Sequence, residues 1–579
     1  MSFPRRVSKS RRTFLKTLPT ALAAGAAAAA TPASAAQATL DLPDIITADG
    51  LGAAQHIIGL NLPVVERESA RPIIVRNRDH YETLRHVTVP PETEPAFSFR
   101  PPRPRISRAP ATRVLPVMPT ATTAGARRRR PGAIEDLAFE SVATIAPLLA
   151  ARQITSTELT KMYLERLKRH DPTLFCVVTL TEDLALDQAV EADNEIRAGR
   201  YRGPLHGIPY GVKDLFAAKG VLTTWGAQPY AEQVFDYDST VVARLREAGA
   251  VLTAKLATGE LAIGDLWFRA RTRNPWNPEG GASGSSAGPA SATAAGLVGF
   301  AVGTETGGSI MSPASTCGVV GMRPTYGRIS RHGCMTLRWT LDKVGPITRS
   351  IQDAALVLQA LHGLDGFDET VADVPLHLTQ RRDVKGLRIG YVAREIEGTG
   401  EGGDRQQSIA RRPVYEAAMD VYRKAGATLV PVALPNLPAT AIYAVLNAEA
   451  GAMFDELVRS GAINQLADKG PNGRANQLRA TRFIPAVEYI RAQRVRTMLM
   501  HQMNQLFESV DLFLAPPSSD SVTMTNLTGH PAVVLPAGFV EEMPVGLMLT
   551  GKLWDETTLV RAAAAFEAAT AWHKRHPSL

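Results

Sequence analysis

The sequence predicts an α/β fold with a largely covered sheet, from three features. Helix and strand patterns alternate from about residue 134 onward, helix starts carry capping signals, and the strand candidates are short apolar or β-branched runs between helices. Thr155-Ser156-Thr157-Glu158 is a capping box opening an amphipathic helix to about Arg169. Cys176 to Leu180 reads as a strand, Leu184 to Ala198 as a helix, Val241 to Ala248 as a helix and Ala250 to Leu256 as a strand. Lys213 falls in a predicted loop between the first two helix–strand units. Asp353 to Leu361 is a helix and Leu387 to Val392 a strand, with residues 396–412 read as an exposed Gly- and charge-rich loop. Pro413 to Lys424 is helix and Ala427 to Val432 strand. Residues 438–510 are mainly helical, Asp511 to Ala515 and Ala532 to Leu535 are buried strands, and a helix from Thr558 to Thr570 packs on the sheet.

The first 132 residues are of another kind. Ser10-Arg11-Arg12-Thr13-Phe14-Leu15-Lys16 reads as a twin-arginine export signal. An alanine-rich stretch and Ala33-Ser34-Ala35, a cleavage signature, follow it, so residues 1–35 are assigned to a signal peptide. Residues 36–88 hold a small helical segment: Ile46 to Ile58, then Glu66 to His86 interrupted at Pro72. Residues 89–132, rich in Pro and Arg, read as a linker or as a strap lying on the catalytic part, which occupies residues 133–579. Residues 1–132 contain 20 Lys and Arg against 9 Asp and Glu. That excess is larger than the whole chain's +8 and leaves the remainder at −3. The basic character therefore belongs to the leader and linker, and it argues against nucleic-acid binding by the catalytic part. A basic strap could touch anionic lipid or cell-wall polymer, but a solvated linker is the preferred reading. No stretch is long and apolar enough for a stable membrane span.

One stretch is unusual for a globular interior. From Gly280 to Tyr326 the chain passes two Gly/Ser clusters, Ser283-Gly284-Ser285-Ser286 and Thr306-Gly307-Gly308-Ser309, separated by small residues. Glycines let backbone approach a ligand, and the serines supply hydroxyls. Gly284-Ser285-Ser286-Ala287-Gly288 also fits the G-x-S-x-G nucleophile elbow. That elbow needs an apolar strand before it, and here Asn274-Pro275-Trp276-Asn277-Pro278 comes first. Taken alone, either cluster is a flexible turn.

Taken together, SGSSAG, GTETGGSIMSP, CGVVGMRPTYGRIS, the upstream Gly207-Ile208-Pro209-Tyr210-Gly211-Val212-Lys213-Asp214 and the downstream Thr528-Gly529-His530-Pro531 to Gly546-Leu547 follow a known order. The chain resembles the amidase signature family, serine hydrolases with a Ser–cisSer–Lys triad, over roughly residues 134 to 575. The resemblance implies a single large domain with a mixed twisted sheet wrapped by helices. It implies Ser309 as nucleophile, Ser285 (after a cis Gly284–Ser285 bond) as bridging serine and Lys213 as base. It also implies an oxyanion hole from the N–H groups of Thr306, Gly307, Gly308 and Ser309. For Lys213 to accept a proton its pKa must fall well below roughly 10.4. Ile208, Val212, Leu215 and Phe216 offer the apolar setting that does this. A drop of about 3 units corresponds to roughly 4 kcal/mol. Ser286 reads as a helix-capping hydroxyl.

Two departures stand out. The family's Asp is Glu305 here, and the family's Arg after GGSI is Met311. That arginine holds acidic substrate groups in some members, so Met311 argues against a small carboxylate-bearing amide held at that position. Three cysteines, Cys176, Cys317 and Cys334, are too few for a disulfide framework, and Cys317 reads as packing. No pair has metal-ligand spacing and there is no P-loop, so no cofactor or metal is expected. His332 and His530 read as structural.

These readings converge on an exported, periplasmic or secreted hydrolase of amide C–N bonds. Its partners would be a small-molecule amide and the twin-arginine export machinery, and a homodimer is compatible. Two alternatives share the fold. An amidotransferase A-like glutaminase subunit would need cytoplasmic partners that an exported chain does not meet. A catalytically silent envelope protein would have no need of Lys213, Ser285 and Ser309, all of which are present.

Overall fold

Thirteen strands, most of them buried, organise the described residues of the chain. In order they are β1 (Val177–Leu180), β2 (Pro209–Lys213), β3 (Val251–Leu256), β4 (Arg273–Asn274), β5 (Asn277–Gly281), β6 (Phe300–Glu305), β7 (Val320–Arg323), β8 (Lys343–Thr348), β9 (Arg388–Tyr391), β10 (Thr428–Pro431), β11 (Leu512–Ala515), β12 (Ala532–Val540) and β13 (Met543–Gly551). The computed structural model describes residues 46–90, 92–97, 130, 132–378, 381–398 and 405–579. The signal-peptide assignment, and most of the linker, fall outside the described residues.

Eleven strands form one mixed sheet in the order β1-β3-β2-β6-β8-β7-β12-β13-β11-β9-β10, and β4 and β5 form a separate hairpin. Within it, β3, β2 and β6 run parallel to one another, as do β11, β9 and β10, and the other neighbouring pairs are antiparallel. Side chains alternate across the sheet as the pleat requires. Val533 and Leu535 of β12 belong to one apolar core and Ala532 and Val534 to the other; Leu512 and Leu514 of β11 part from Phe513 and Ala515 in the same way. Helices cover both faces, so the expected mixed sheet covered by helices is what forms.

The capping box is present. Thr155 Oγ1 accepts from the Glu158 N–H (3.0 Å), and Glu158 accepts from the Thr155 N–H (2.9 Å), opening the helix Ser156–Leu174. The C-terminal helix Glu556–Ala569 lies on β12 and β13 as expected.

Four expectations need correction. Lys213 is the last residue of a strand, not part of a loop. The strands β2, β6, β7, β8 and β13 have no strand signature because each carries Gly or Pro and is enclosed on both faces, which removes the polar–apolar alternation. The helix Val64–Arg85 continues through Pro72, and the helix Arg405–Lys424 starts well before Pro413 and runs through it. In the first, Ile73, Ile74, Tyr81 and Leu84 are buried against the helices Ala439–Val445 and Arg474–Thr481, and this packing offsets the missing hydrogen bond. The approach to the Gly/Ser stretch, read as broken by prolines, forms the β4–β5 hairpin.

Part of the Pro-rich segment does lie on the protein. Arg494 donates to the Thr93 carbonyl (2.8 Å) and Thr497 to the Glu94 carbonyl (2.7 Å), while Phe97 stacks on Tyr489 at 6.1 Å. Among the described residues no helix is long and apolar enough to cross a membrane.

Candidate active site

Parallel β2 and β6 are neighbours, with Val212 opposite Val302, so their carboxyl ends open on the same edge of the sheet. Crevices at such edges are where α/β proteins place ligands. Lys213 closes β2, and β6 leads through Glu305 into the turn Thr306-Gly307-Gly308-Ser309.

Lys213 is completely buried. Its Nζ lies 2.8 Å from Ser285 Oγ and 2.9 Å from Thr304 Oγ1, so its partners are two hydroxyls and not a carboxylate. Burial lowers its pKa from 10.5 to about 7, against weaker opposing influences from Cys334, Asp342 and Glu305. The contrast is Lys255 on β3. It is equally buried, but its ammonium pairs with Asp214 at 2.9 Å, which opposes the lowering by burial. Of the two lysines, Lys213 is the one placed to work as a neutral amine.

Ser285 is buried and follows a cis Gly284–Ser285 bond. A side chain at Gly284 has no room, because a Cβ there would fall 1.9 Å from the Gly264 carbonyl oxygen. The next N–H, of Ser286, donates to the Ser309 carbonyl (3.1 Å) and so brings the two serine segments together. Ser286 stands at the start of the helix Ala287–Ala294 but its hydroxyl does not cap it. It donates to the Thr304 carbonyl (3.1 Å) and accepts from the Thr304 N–H (3.3 Å), tying the segment to β6.

Ser309 is half-buried, and Gly307 beside it is exposed. The turn is anchored from below. Glu305 accepts from the N–H groups of Ile310 (2.7 Å) and Met311 (2.9 Å), just past Ser309, and pairs with Arg323 (2.6 Å). Thr306 donates to Asp342 (2.6 Å). Gly308 sits at φ +118°, open to glycine and strained for other residues. At Gly307 a Cβ would lie 2.3 Å from the Tyr443 hydroxyl, so that ring walls the turn directly.

A protein-family model for amidases matches residues 158–521. The chain belongs to the amidase family. It is 37% identical over 477 residues to the A-type subunit of glutamyl-tRNA(Gln) amidotransferase from Roseiflexus sp. (strain RS-1), a match covering 74% of this chain and 96% of that one. Among solved structures it is similar to the native peptide amidase of Stenotrophomonas maltophilia (TM-score 0.68, 31% identity, covering 77% of this chain and 99% of that one). It is also similar to the A-type amidotransferase subunit of Thermotoga maritima (TM-score 0.64, 26% identity, 78% and 99%). As a member of this family, the chain is an amide-hydrolysing enzyme.

In this amidase the two departures have structural explanations. Glu305 reaches both Arg323 and the N–H groups after Ser309, which makes it a brace for the Thr306–Ser309 turn. Met311 is fully buried in an apolar core cluster with Ala314 and Ile347, a place with no water for a bare cation. Cys317 is buried, and its thiol is pushed far up by burial, in keeping with packing. His530 is buried with its Nδ1 beside the Thr528 hydroxyl (2.7 Å); burial, helped by Arg323, lowers its pKa to about 3. His332 stacks on Phe367 at 4.2 Å.

Sequence reasoning missed Thr304, Asp342, Tyr443 and Arg323. Thr304 had a local signal, one step from the carboxyl end of a strand beside Lys213, but β6 itself was hidden in the small-residue run. Tyr443 comes from the separate helix Ala439–Val445, and nothing near it in sequence points to Gly307.

Proposed function

We propose that this chain is an exported hydrolase that cleaves amide C–N bonds through an acyl-enzyme on Ser309. The observation that carries this is the neutral-amine environment of Lys213, with its Nζ 2.8 Å from the Ser285 hydroxyl. Lys213 takes the Ser285 proton as Ser285 takes that of Ser309, and Ser309 Oγ attacks the amide carbon. The N–H groups of Thr306, Gly307, Gly308 and Ser309 receive the developing oxyanion. Collapse breaks the C–N bond, the proton returns through Ser285 to the leaving nitrogen, and water then hydrolyses the ester by the same relay. The similarity to a peptide amidase favours small peptide-like amides as substrates.

The test is labelling by a fluorophosphonate probe, read by intact mass on the chain lacking residues 1–35. A single adduct that disappears in Ser309→Ala and forms slowly in Lys213→Ala is expected. An adduct that survives Ser309→Ala moves the nucleophile elsewhere and ends this mechanism.

Export rests on Arg11-Arg12 and the small-residue stretch behind them. In a bacterial host, replacing both arginines by lysine is expected to trap the full-length chain in the cytoplasmic fraction. Undiminished recovery from the periplasm would remove the export reading. A second reading, a glutaminase component of a tRNA-dependent amidotransferase, is favoured by the identity to such proteins. Retention of the lysine variant in the cytoplasm with no export of the parent would favour that reading.

A further inference from the structure

The two N-terminal helices, Ala48–Ile57 and Val64–Arg85, lie outside residues 158–521 that match the amidase model, and the proton relay gives them no task. The second of them is nevertheless built into the wall beside the Thr306–Ser309 turn. Along it Ala70, Ile73, Ile74, Asn77, Tyr81 and Leu84 are buried, the spacing of a single helix face. The helix packs on the helices Ala439–Val445 and Arg474–Thr481. The first of these carries Tyr443, and a Cβ at Gly307 would meet its hydroxyl at 2.3 Å. Leu84, which has no exposed surface, and Tyr81 belong to the apolar cluster that also holds Ile442, next to Tyr443, and Ile310 and Met311, which follow Ser309.

Ion pairs fix the helix near both ends. Glu66 accepts from Arg479 Nε (3.0 Å) and from Asn464 Nδ2 (2.8 Å), and the Arg479 side chain is only 6% exposed. Arg85 donates to Glu488 through Nη2 (2.6 Å) and Nε (3.1 Å), and the Glu488 side chain is 7% exposed. A pair with a buried member is costly to break, so these contacts hold the helix in one register. The stretch between the two helices reaches a second cluster, where Leu60 and Leu62 are buried with Phe454 and with Leu215, two residues past Lys213.

We propose that the N-terminal helical pair is a specificity element: it holds Tyr443 against the Thr306–Ser309 turn and so limits the bulk of the amide that Ser309 admits. The proposal rests on the Ser309 reading and adds a determinant to it. Leu84 acts here as a positioning residue. Protein interiors are close-packed and transmit a local displacement, so a cavity at Leu84 lets the Ala439–Val445 helix settle away from Gly307 and take Tyr443 with it. That helix also packs on Ala486–Ser509 and Asp520–Thr528, so loosening one contact shifts it without releasing it.

Two fluorophosphonates with the same reactive group, one bearing a methyl ester and one a bulky aryl ester, are compared by their rates of labelling at Ser309. The ratio of the two rates does not depend on the fraction of protein folded, so a loss of stability alone leaves it unmoved. Leu84→Ala is expected to raise the bulky-to-small ratio at least about tenfold, the scale on which a pocket feels one methylene. Tyr443→Ala, which deletes the wall itself, is expected to raise it at least as far. Leu245→Ala, at an equally buried leucine of the other large core cluster, should leave it unchanged. If thermal melts show that Leu84→Ala does not fold, Leu84→Val takes its place, with a smaller rise of the same sign. An unchanged ratio in the folded Leu84 variant, or an equal change in Leu245→Ala, overturns the proposal. If neither reagent labels Ser309 in the parent, the catalytic reading fails, and hydrogen exchange over residues 439–445 decides. Faster exchange there in Leu84→Ala than in Leu245→Ala upholds the grip on the Tyr443 wall, and equal exchange overturns it.

Discussion

Lys213→Met is expected to lower kcat on an amide by about 10⁴, the scale seen when one member of a cooperating nucleophile–base unit is removed. The substitution keeps the length and apolar stem of the side chain but removes the amine, leaving Ser285 without a proton acceptor 2.8 Å away. The parent's pH profile is the companion measurement. The folded-state pKa is lowered to about 7 and the working form is the neutral one, so kcat/KM should rise as pH passes about 7 and level off above it. In Lys213→Met that rise should vanish. The substitution is expected to act on stability in the opposite sense to its effect on activity. A lysine whose pKa is depressed on folding binds fewer protons folded than unfolded between about 7 and 10.5, so its presence penalises the native state most at low pH. Lys213→Met should therefore melt no lower than the parent at pH 7, which separates lost chemistry from lost structure. A profile that stays flat from pH 6 to 8 in the parent would reject Lys213 as the base.

Glu305→Ala is expected to destabilise the fold by about 3–5 kcal/mol, because it leaves the fully buried Arg323 guanidinium without its counter-charge. Burial opposes ionisation of Glu305, but Arg323, the Ile310 and Met311 N–H groups and Asn526 more than offset it and hold its pKa below 4.5. Burial also pulls Arg323 down. Each charge needs the other. The contribution of Glu305 is fully present above about pH 4.5 and is lost as pH falls through its lower folded-state value. Urea unfolding at pH 7 measures the loss, and the double substitution Glu305→Leu with Arg323→Met should recover most of it by removing both charges. The same double variant should remain poorly active, since the N–H groups after Ser309 lose the carboxylate that positions the turn. Full activity in it would show that Glu305 supports the fold but not the nucleophile.

How much of this was legible in the sequence varied with how local the signal was. The capping box at Thr155 and Glu158 needs four residues to state and forms as read. The strands at 177–180, 251–256, 388–391, 428–431 and 512–515 stand where apolar runs of that length fall. By contrast, β6 and β8 hold Gly303 and Gly345 at crowded central positions; a Cβ at Gly345 would lie 1.9 Å from the Met322 carbonyl oxygen. There the close approach of neighbouring backbones, and not the strand's own preference, selects glycine, so neither segment carries a strand signature. The helices crossing Pro72 and Pro413 were misjudged for the same kind of reason, since tertiary packing outweighs one absent hydrogen bond.

By itself the sequence determined the cast of the candidate site. Lys213, Ser285, Ser309 and the Thr306–Gly308 turn are named by motifs whose residue types and spacing are written in the chain. Tertiary structure decided what those residues can do. Lys213 meets Thr304, 91 positions away, and an enclosure that favours its neutral form. Gly307 meets Tyr443, and Tyr443 carries Arg338 above it. The physical reason is that desolvation and charge–charge interactions depend on distance through space and on excluded water. Neither is a property of the residues next door in the chain.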